Sequence, residues 1–170
     1  MTSTWATMGD AEFAVNLNGT NFDAVGGYLY SPMAANPWSS SDWHPIPGPK
    51  LPIFVATWNG RADAESALSQ LGELGVKPGA IVAYDMETRV DVTTVAGFGA
   101  IMNHHGYLVW TYGSASTLFD NPQLNGYWVA DYLYAPYMYS HPGVRATQWT
   151  DGDKYDQSTV KRWELAHMWV

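Results

Sequence analysis

At 170 residues, 46% hydrophobic and 15% aromatic, the chain can bury one sizeable core. Eight basic residues against sixteen acidic ones leave a formal charge of −8. That balance excludes a surface built on nucleic-acid phosphates or anionic lipid, and the absence of cysteine excludes disulfides, a thiol nucleophile and thiolate metal sites.

Residues 1–11 are small and polar and read as a flexible start. Residues 12–18 (EFAVNLN) read as a short strand ending at the Asn18-Gly19 turn signal. Residues 23–30 (DAVGGYLY) form the next strand, with Gly26-Gly27 marking a bulge or a close backbone approach. Residues 31–50 hold five prolines and predict a long loop, with one helical turn near 39–43. Its Trp38 and Trp43 suit either the wall of a groove or pins that hold the loop to the body.

Residues 51–58 (LPIFVATW) predict a strand. Residues 62–74 predict an amphipathic helix, with Ala64, Ala67, Leu68, Leu71 and Leu74 on one stripe and Gly75 as its stop. Residues 80–88 (AIVAYDMET) predict a buried strand. Alternation sends Asp85 and Glu87 to the face of Ile81 and Ala83, and Val82, Tyr84 and Met86 to the other. Asp91 is placed to cap a helix that runs to about His105, burying Val92, Val95, Phe98, Ile101 and Met102. Strands follow at 107–114, 127–134 and 144–151, with a helical turn near 116–119. A short strand at 155–160 and a terminal helix or tail at 161–170 complete the chain.

Near-continuous apolar strands with intervening helices imply a parallel sheet. The predicted fold is α/β: a compact (β/α) TIM-type barrel with reduced helices in the C-terminal half, formed by residues 1–170 as one domain. An open sheet is the alternative.

In such a barrel the site lies at the C-terminal strand ends. Those ends supply Trp58, Asp85, Glu87, Tyr112, Ser114, Asp131, Gln148, Trp149 and Asp151, with Asp156 beyond. Paired acids suit glycoside hydrolysis. One carboxyl group protonates the leaving oxygen, and a second stabilises the oxocarbenium-like transition state or positions water. Glu87, longer and nearer the rim, is the candidate acid, with Asp85 raising its pKa. The same two residues could instead bind a cation or cap the following helix. Nine Trp and eleven Tyr suit a sugar cleft, and equally a small aromatic core or an assembly interface. His104 and His105 sit at a helix end, and Ser114 and Ser116 lack a Gly-x-Ser-x-Gly context. No cofactor or metal is implied.

Several segments, in order, resemble one family. They are Phe22-Asp23-Ala24-Val25-Gly26-Gly27-Tyr28-Leu29, Leu51-Pro52-Ile53-Phe54-Val55, Val82-Ala83-Tyr84-Asp85-Met86-Glu87-Thr88, Thr111-Tyr112-Gly113-Ser114, Tyr127-Trp128-Val129-Ala130-Asp131-Tyr132, Ala146-Thr147-Gln148-Trp149 and Tyr155-Asp156-Gln157-Ser158. The chain resembles the actinobacterial and actinophage glycoside-hydrolase-like domains, distant relatives of the family 25 lysozymes. The resemblance implies a β/α barrel and cleavage after N-acetylmuramic acid in peptidoglycan. It maps the family's Asp-x-Glu onto Asp85 and Glu87, with Glu87 as proton donor, and adds Asp131 and Asp156. The family also carries an Asp near the end of its first strand. The matching segment 14–19 offers only Asn16 and Asn18.

The expected function is therefore binding, and hydrolysis if the carboxylate set is complete, of cell-wall polysaccharide. Glu87, Asp85, Asp131 and Asp156 are the catalytic candidates, and Trp58, Tyr112, Gln148 and Trp149 the sugar-binding ones. The alternative is a non-catalytic structural or adhesive module, for example of a phage virion, using the barrel as scaffold. Expected partners are a cell-wall glycan and, for the alternative, further copies of the chain or virion proteins; neither nucleic acid nor membrane is expected. No signal peptide is visible, so an extracellular or phage-particle location implies release by lysis, within a particle or through a leader.

Overall fold

The computed structural model describes residues 4–87 and 90–170, so Thr88 of the Asp-Met-Glu-Thr segment falls outside. Eight strands close into a barrel in chain order: β1 (Trp5–Asp10), β2 (Ala24–Tyr28), β3 (Lys50–Val55), β4 (Ile81–Asp85), β5 (Leu108–Ser114), β6 (Gly126–Ala130), β7 (Val144–Thr150) and β8 (Asp156–Lys161). Helices α1 (Ser40–Trp43), α2 (Gly60–Leu74), α3 (Val92–His104) and α4 (Ala115–Phe119) lie between strands β2 and β6. Among the described residues no helix separates β6 from β7 or β7 from β8, which matches the expected thinning of the C-terminal half.

Alternation organises every strand. Met8, Ile53, Ile81, Ala83, Trp110, Trp128 and Val160 pack inside the barrel. Val82, Tyr84 and Met86 face outward into a second layer with Ala64, Ala67 and Leu71 of α2 and Val95, Phe98 and Met102 of α3. Tyr84 stacks on Phe98 with ring centroids 3.9 Å apart, and its hydroxyl donates to Asp63 Oδ2 at 2.6 Å. The helix boundaries follow their capping residues. Asn59 and Asp91 accept from the backbone N–H groups of Ala62 and Thr94, and Gly75 ends α2 in the left-handed conformation at φ 75°. Val92, expected inside, is 49% exposed.

Four expectations change. The start of the chain is not flexible from residue 5 onward: Trp5–Asp10 is β1, paired parallel to β2 and antiparallel to β8. Its small residues gave little local strand signal, and pairing on both sides supplies the stability they lack. Second, residues 12–18 are not a strand. They form a turn and a 3₁₀ helix, Ala14–Leu17. Third, the sheet is not wholly parallel. β8 runs antiparallel to both β7 and β1, because residues 151–155 are too few to carry the chain back to the other end of the barrel. Fourth, the terminal helix is a 3₁₀ helix at 162–167; its Leu165, in part, and Met168 just beyond it pack on the inner layer, and Trp169 bridges to Lys50. Trp38 and Trp43 are 7% and 0% exposed with ring centroids 4.7 Å apart, so they pin the long loop to the body.

Candidate active site

Three strands repeat one inward pattern, apolar in the barrel and acidic at the rim. In β1 it is Met8 then Asp10, and in β4 Ile81, Ala83 then Asp85, with Glu87 just beyond. In β8 the pattern runs backwards, Val160, Ser158, Asp156, and the reversed direction brings its first residue to the same rim. Asp10 and Asp156 are direct cross-strand partners, so their α-carbons stand about 5 Å apart. Asp10 is the carboxylate at the end of the first strand that residues 14–19 seemed to lack. The error lay in which segment was taken for the first strand.

A cavity of about 490 Å³ opens over this rim, lined among others by Asp10, Tyr28, Glu87, Tyr112, Tyr132 and Asp156. A smaller recess alongside is lined by Asp85 and Glu87 together with Tyr28 and Met33–Asn36. Glu87 is exposed at the mouth and accepts a hydrogen bond from Tyr112 Oη at 3.3 Å. Asp85 lies beneath it, 4% exposed, its Oδ1 accepting the Glu87 backbone N–H at 3.0 Å. Gly26, on the inward face of β2, makes room for Asp10: a Cβ there would stand 2.8 Å from Asp10 Cβ.

The electrostatics follow from burial. Asp10 is 2% exposed, and burial, then the charges of Asp156, Asp85 and Glu87, hold its carboxyl well above the usual carboxylate range. Burial and the Glu87 charge push Asp85 up to about 7, against the opposing Glu87 backbone N–H. Asp156 rises to about 6 through burial; the Gly152 N–H at 2.9 Å opposes this and the Asp151 and Glu87 charges add to it. The rim therefore combines buried carboxyl groups that hold their protons to higher pH than usual with the exposed side chain of Glu87.

The remaining candidates are dispersed. Asp131 follows Ala130 on the opposite strand face; its backbone carbonyl accepts from the Tyr137 hydroxyl at 3.3 Å, and it does not line either carboxylate cavity. Gln148 is inside the barrel, 1% exposed, donating through Nε2 to the Thr150 carbonyl at 3.1 Å and hydrogen-bonding Asp156. Trp149 lies outside the cavity lining, and its carbonyl accepts from Tyr134 N. Trp58 is 70% exposed and borders a separate cavity of about 670 Å³ with Asp91, Val92 and Asp120. Of the expected sugar-stacking residues, Tyr112 lies in the carboxylate cavity. Tyr28 and Tyr132, not anticipated, join it. The signal for Asp10 was present as the alternation Ala6, Met8, Asp10.

No family model and no curated protein matches the sequence. Solved structures share the fold at low identity. An uncharacterized B. stearothermophilus protein is 17% identical with a TM-score of 0.76, covering 98% of this chain and 100% of its own. The Tat-secreted protein Rv2525c of Mycobacterium tuberculosis is 13% identical with a TM-score of 0.66, covering 91% and 95%. The modular autolysin LytC of Streptococcus pneumoniae, solved with a synthetic peptidoglycan ligand, is 16% identical with a TM-score of 0.61; the match covers 94% of this chain and 47% of LytC. The chain thus shares its barrel fold with a bacterial autolysin.

Proposed function

We propose that this barrel binds cell-wall polysaccharide and hydrolyses its glycosidic bonds at the carboxylate rim. The carrying observation is that β1, β4 and β8 deliver Asp10, Asp85, Glu87 and Asp156 to one open rim. Glu87 is the proton donor, because it is exposed at the mouth and lines both cavities. Asp85 orients Glu87 through its backbone N–H. Asp10 and Asp156, cross-strand neighbours, act as the charge that stabilises the oxocarbenium-like transition state or draws water to it. In this reading Asp10 supplies the carboxylate at the end of the first strand for which the sequence reading found only Asn16 and Asn18. Tyr28, Tyr112 and Tyr132 line the cavity beside the carboxylates, and Tyr132, the most exposed of the three, offers a ring face for a sugar. The autolysin neighbour with a peptidoglycan ligand supports peptidoglycan as the polymer to test first.

The test is release of new reducing ends from purified actinobacterial peptidoglycan. Wild type should release them, and Glu87→Gln should be slower by about 100-fold or more. Background release from both proteins would overturn the enzymatic reading. It would favour a non-catalytic adhesive module, for which Leu133 and Tyr134, 63% and 70% exposed, provide an apolar contact surface.

A further inference from the structure

The cavity of about 670 Å³ beside Trp58 shares no lining residue with the two carboxylate cavities. Its walls come from the segments that follow β3, β4 and β5, so it opens at the same end of the barrel as the carboxylate rim. Trp58 is 70% exposed, and its ring makes no hydrogen bond or ring contact among the described residues. The backbone beneath that ring is fixed all the same. Thr57 N donates to Asp63 Oδ2 at 2.9 Å, the Trp58 carbonyl accepts from Thr94 Oγ1 at 3.5 Å, and Asn59 Oδ1 accepts from Ala62 N at 3.2 Å. Gly60 seats the loop on α3, where a Cβ would collide with the Thr94 carbonyl oxygen. A large ring held out on a fixed loop loses little further freedom when a ligand covers it. Val92 adds a second exposed apolar side chain to the wall, and the Asp120 carboxylate accepts no hydrogen bond from a described residue.

We propose that this cavity is a second, non-catalytic carbohydrate site that holds an N-acetylated sugar of the cell-wall polymer against Trp58. The inference rests on reading the barrel as a binder of that polymer, and not on hydrolysis. A pyranose ring offers an apolar C–H face that fits an indole, while its hydroxyls and acetamide N–H are donors that the carboxylates of Asp91 and Asp120 can accept. The acetyl methyl group brings apolar surface for Val92 to cover. The described lining residues include two acids and no base, so an anionic ligand meets like charge. A few polar groups around an apolar platform is the usual composition of a small-ligand site. A strand held here leaves the carboxylate rim open, because the two places have no lining residue in common.

NMR of the indole N–H signals tests this on the intact chain. The signal that Trp58→Phe removes belongs to Trp58. Titration with the N-acetylglucosamine trimer should shift that signal to saturation, in wild type and in Glu87→Gln alike, and the glucose trimer should bind about fivefold more weakly or less. Co-sedimentation with insoluble peptidoglycan gives the second readout. Trp58→Ala, its fold checked by thermal melting, should bind about tenfold more weakly than wild type. A Trp58 signal that does not move by about 10 mM sugar, an equal response to the glucose trimer, or unchanged sedimentation of Trp58→Ala would each overturn the proposal. So would a response to the isolated stem peptide without one to the sugar, which would assign the cavity to peptide. Hydrolysis of peptidoglycan is read separately. Hydrolysis without the Trp58 response rejects this site alone, and the Trp58 response without hydrolysis rejects only the enzymatic reading.

Discussion

Replacing Asp85 with Asn should stabilise the fold at neutral pH. Asp85 is 4% exposed, and its carboxyl rises from 3.8 to about 7, first through burial and then through the Glu87 charge. A raised folded-state pKa means that the native protein holds its proton more tightly than the unfolded chain does. The associated stability is full below pH 3.8 and is lost as pH climbs to about 7. At about 1.4 kcal/mol per tenfold in proton affinity, the loss reaches about 4 kcal/mol once Asp85 ionises. Asn cannot ionise, and its Oδ1 still accepts the Glu87 N–H that Asp85 accepts at 3.0 Å. Asp85→Asn should therefore be more stable than wild type by about 2–4 kcal/mol at pH 8, with little difference at pH 3.5. Urea unfolding of both proteins at pH 3.5, 6 and 8 measures this directly. A difference that does not grow with pH, or a variant less stable at pH 8, would refute the assignment of a buried, proton-holding carboxylate.

Two further predictions concern the supports of the site. Gly26→Ala puts a Cβ 2.8 Å from Asp10 Cβ and 3.1 Å from Ile53 Cδ1; because Asp10 Cβ is fixed to a paired strand, the backbone must yield. It should cost about 1–3 kcal/mol, read by urea unfolding, and Asp10→Gly in the same chain should restore much of it. Tyr84→Phe removes the 2.6 Å bond to Asp63 on the outer face of β4, leaving the Asp63 carboxylate to the Thr57 N–H and hydroxyl. It should lower unfolding stability by about 1–3 kcal/mol while peptidoglycan hydrolysis per folded molecule stays unchanged, because the lost bond lies outside the barrel interior.

The sequence carried much of the local structure. Period-two alternation in residues 81–87 was enough to put Asp85 and Glu87 on the inner face with Ile81 and Ala83, since side-chain direction follows from the strand backbone. The α2 stripe and the Asp91 and Gly75 caps were equally local, and the thinning of helices toward the C-terminus could be read from segment lengths. Tyr112 was legible as a strand-end residue. Asp131 was misread because it, too, ends a strand, but one residue past Ala130, and one residue reverses the face.

Two decisions belonged to the tertiary structure alone. Trp5–Asp10 has little intrinsic strand preference and becomes β1 because closure gives it partners on both edges, β2 and β8, the latter distant in sequence. The direction of β8 likewise follows from a short return loop and from pairing with β1, neither visible as a local pattern. Together they bring Asp10 and Asp156, at opposite ends of the chain, into cross-strand register. The sequence by itself determined one pair of acids, Asp85 and Glu87, because adjacent alternation needs no partner. Barrel closure decided the other pair, because long-range pairing sets which residues share a rim.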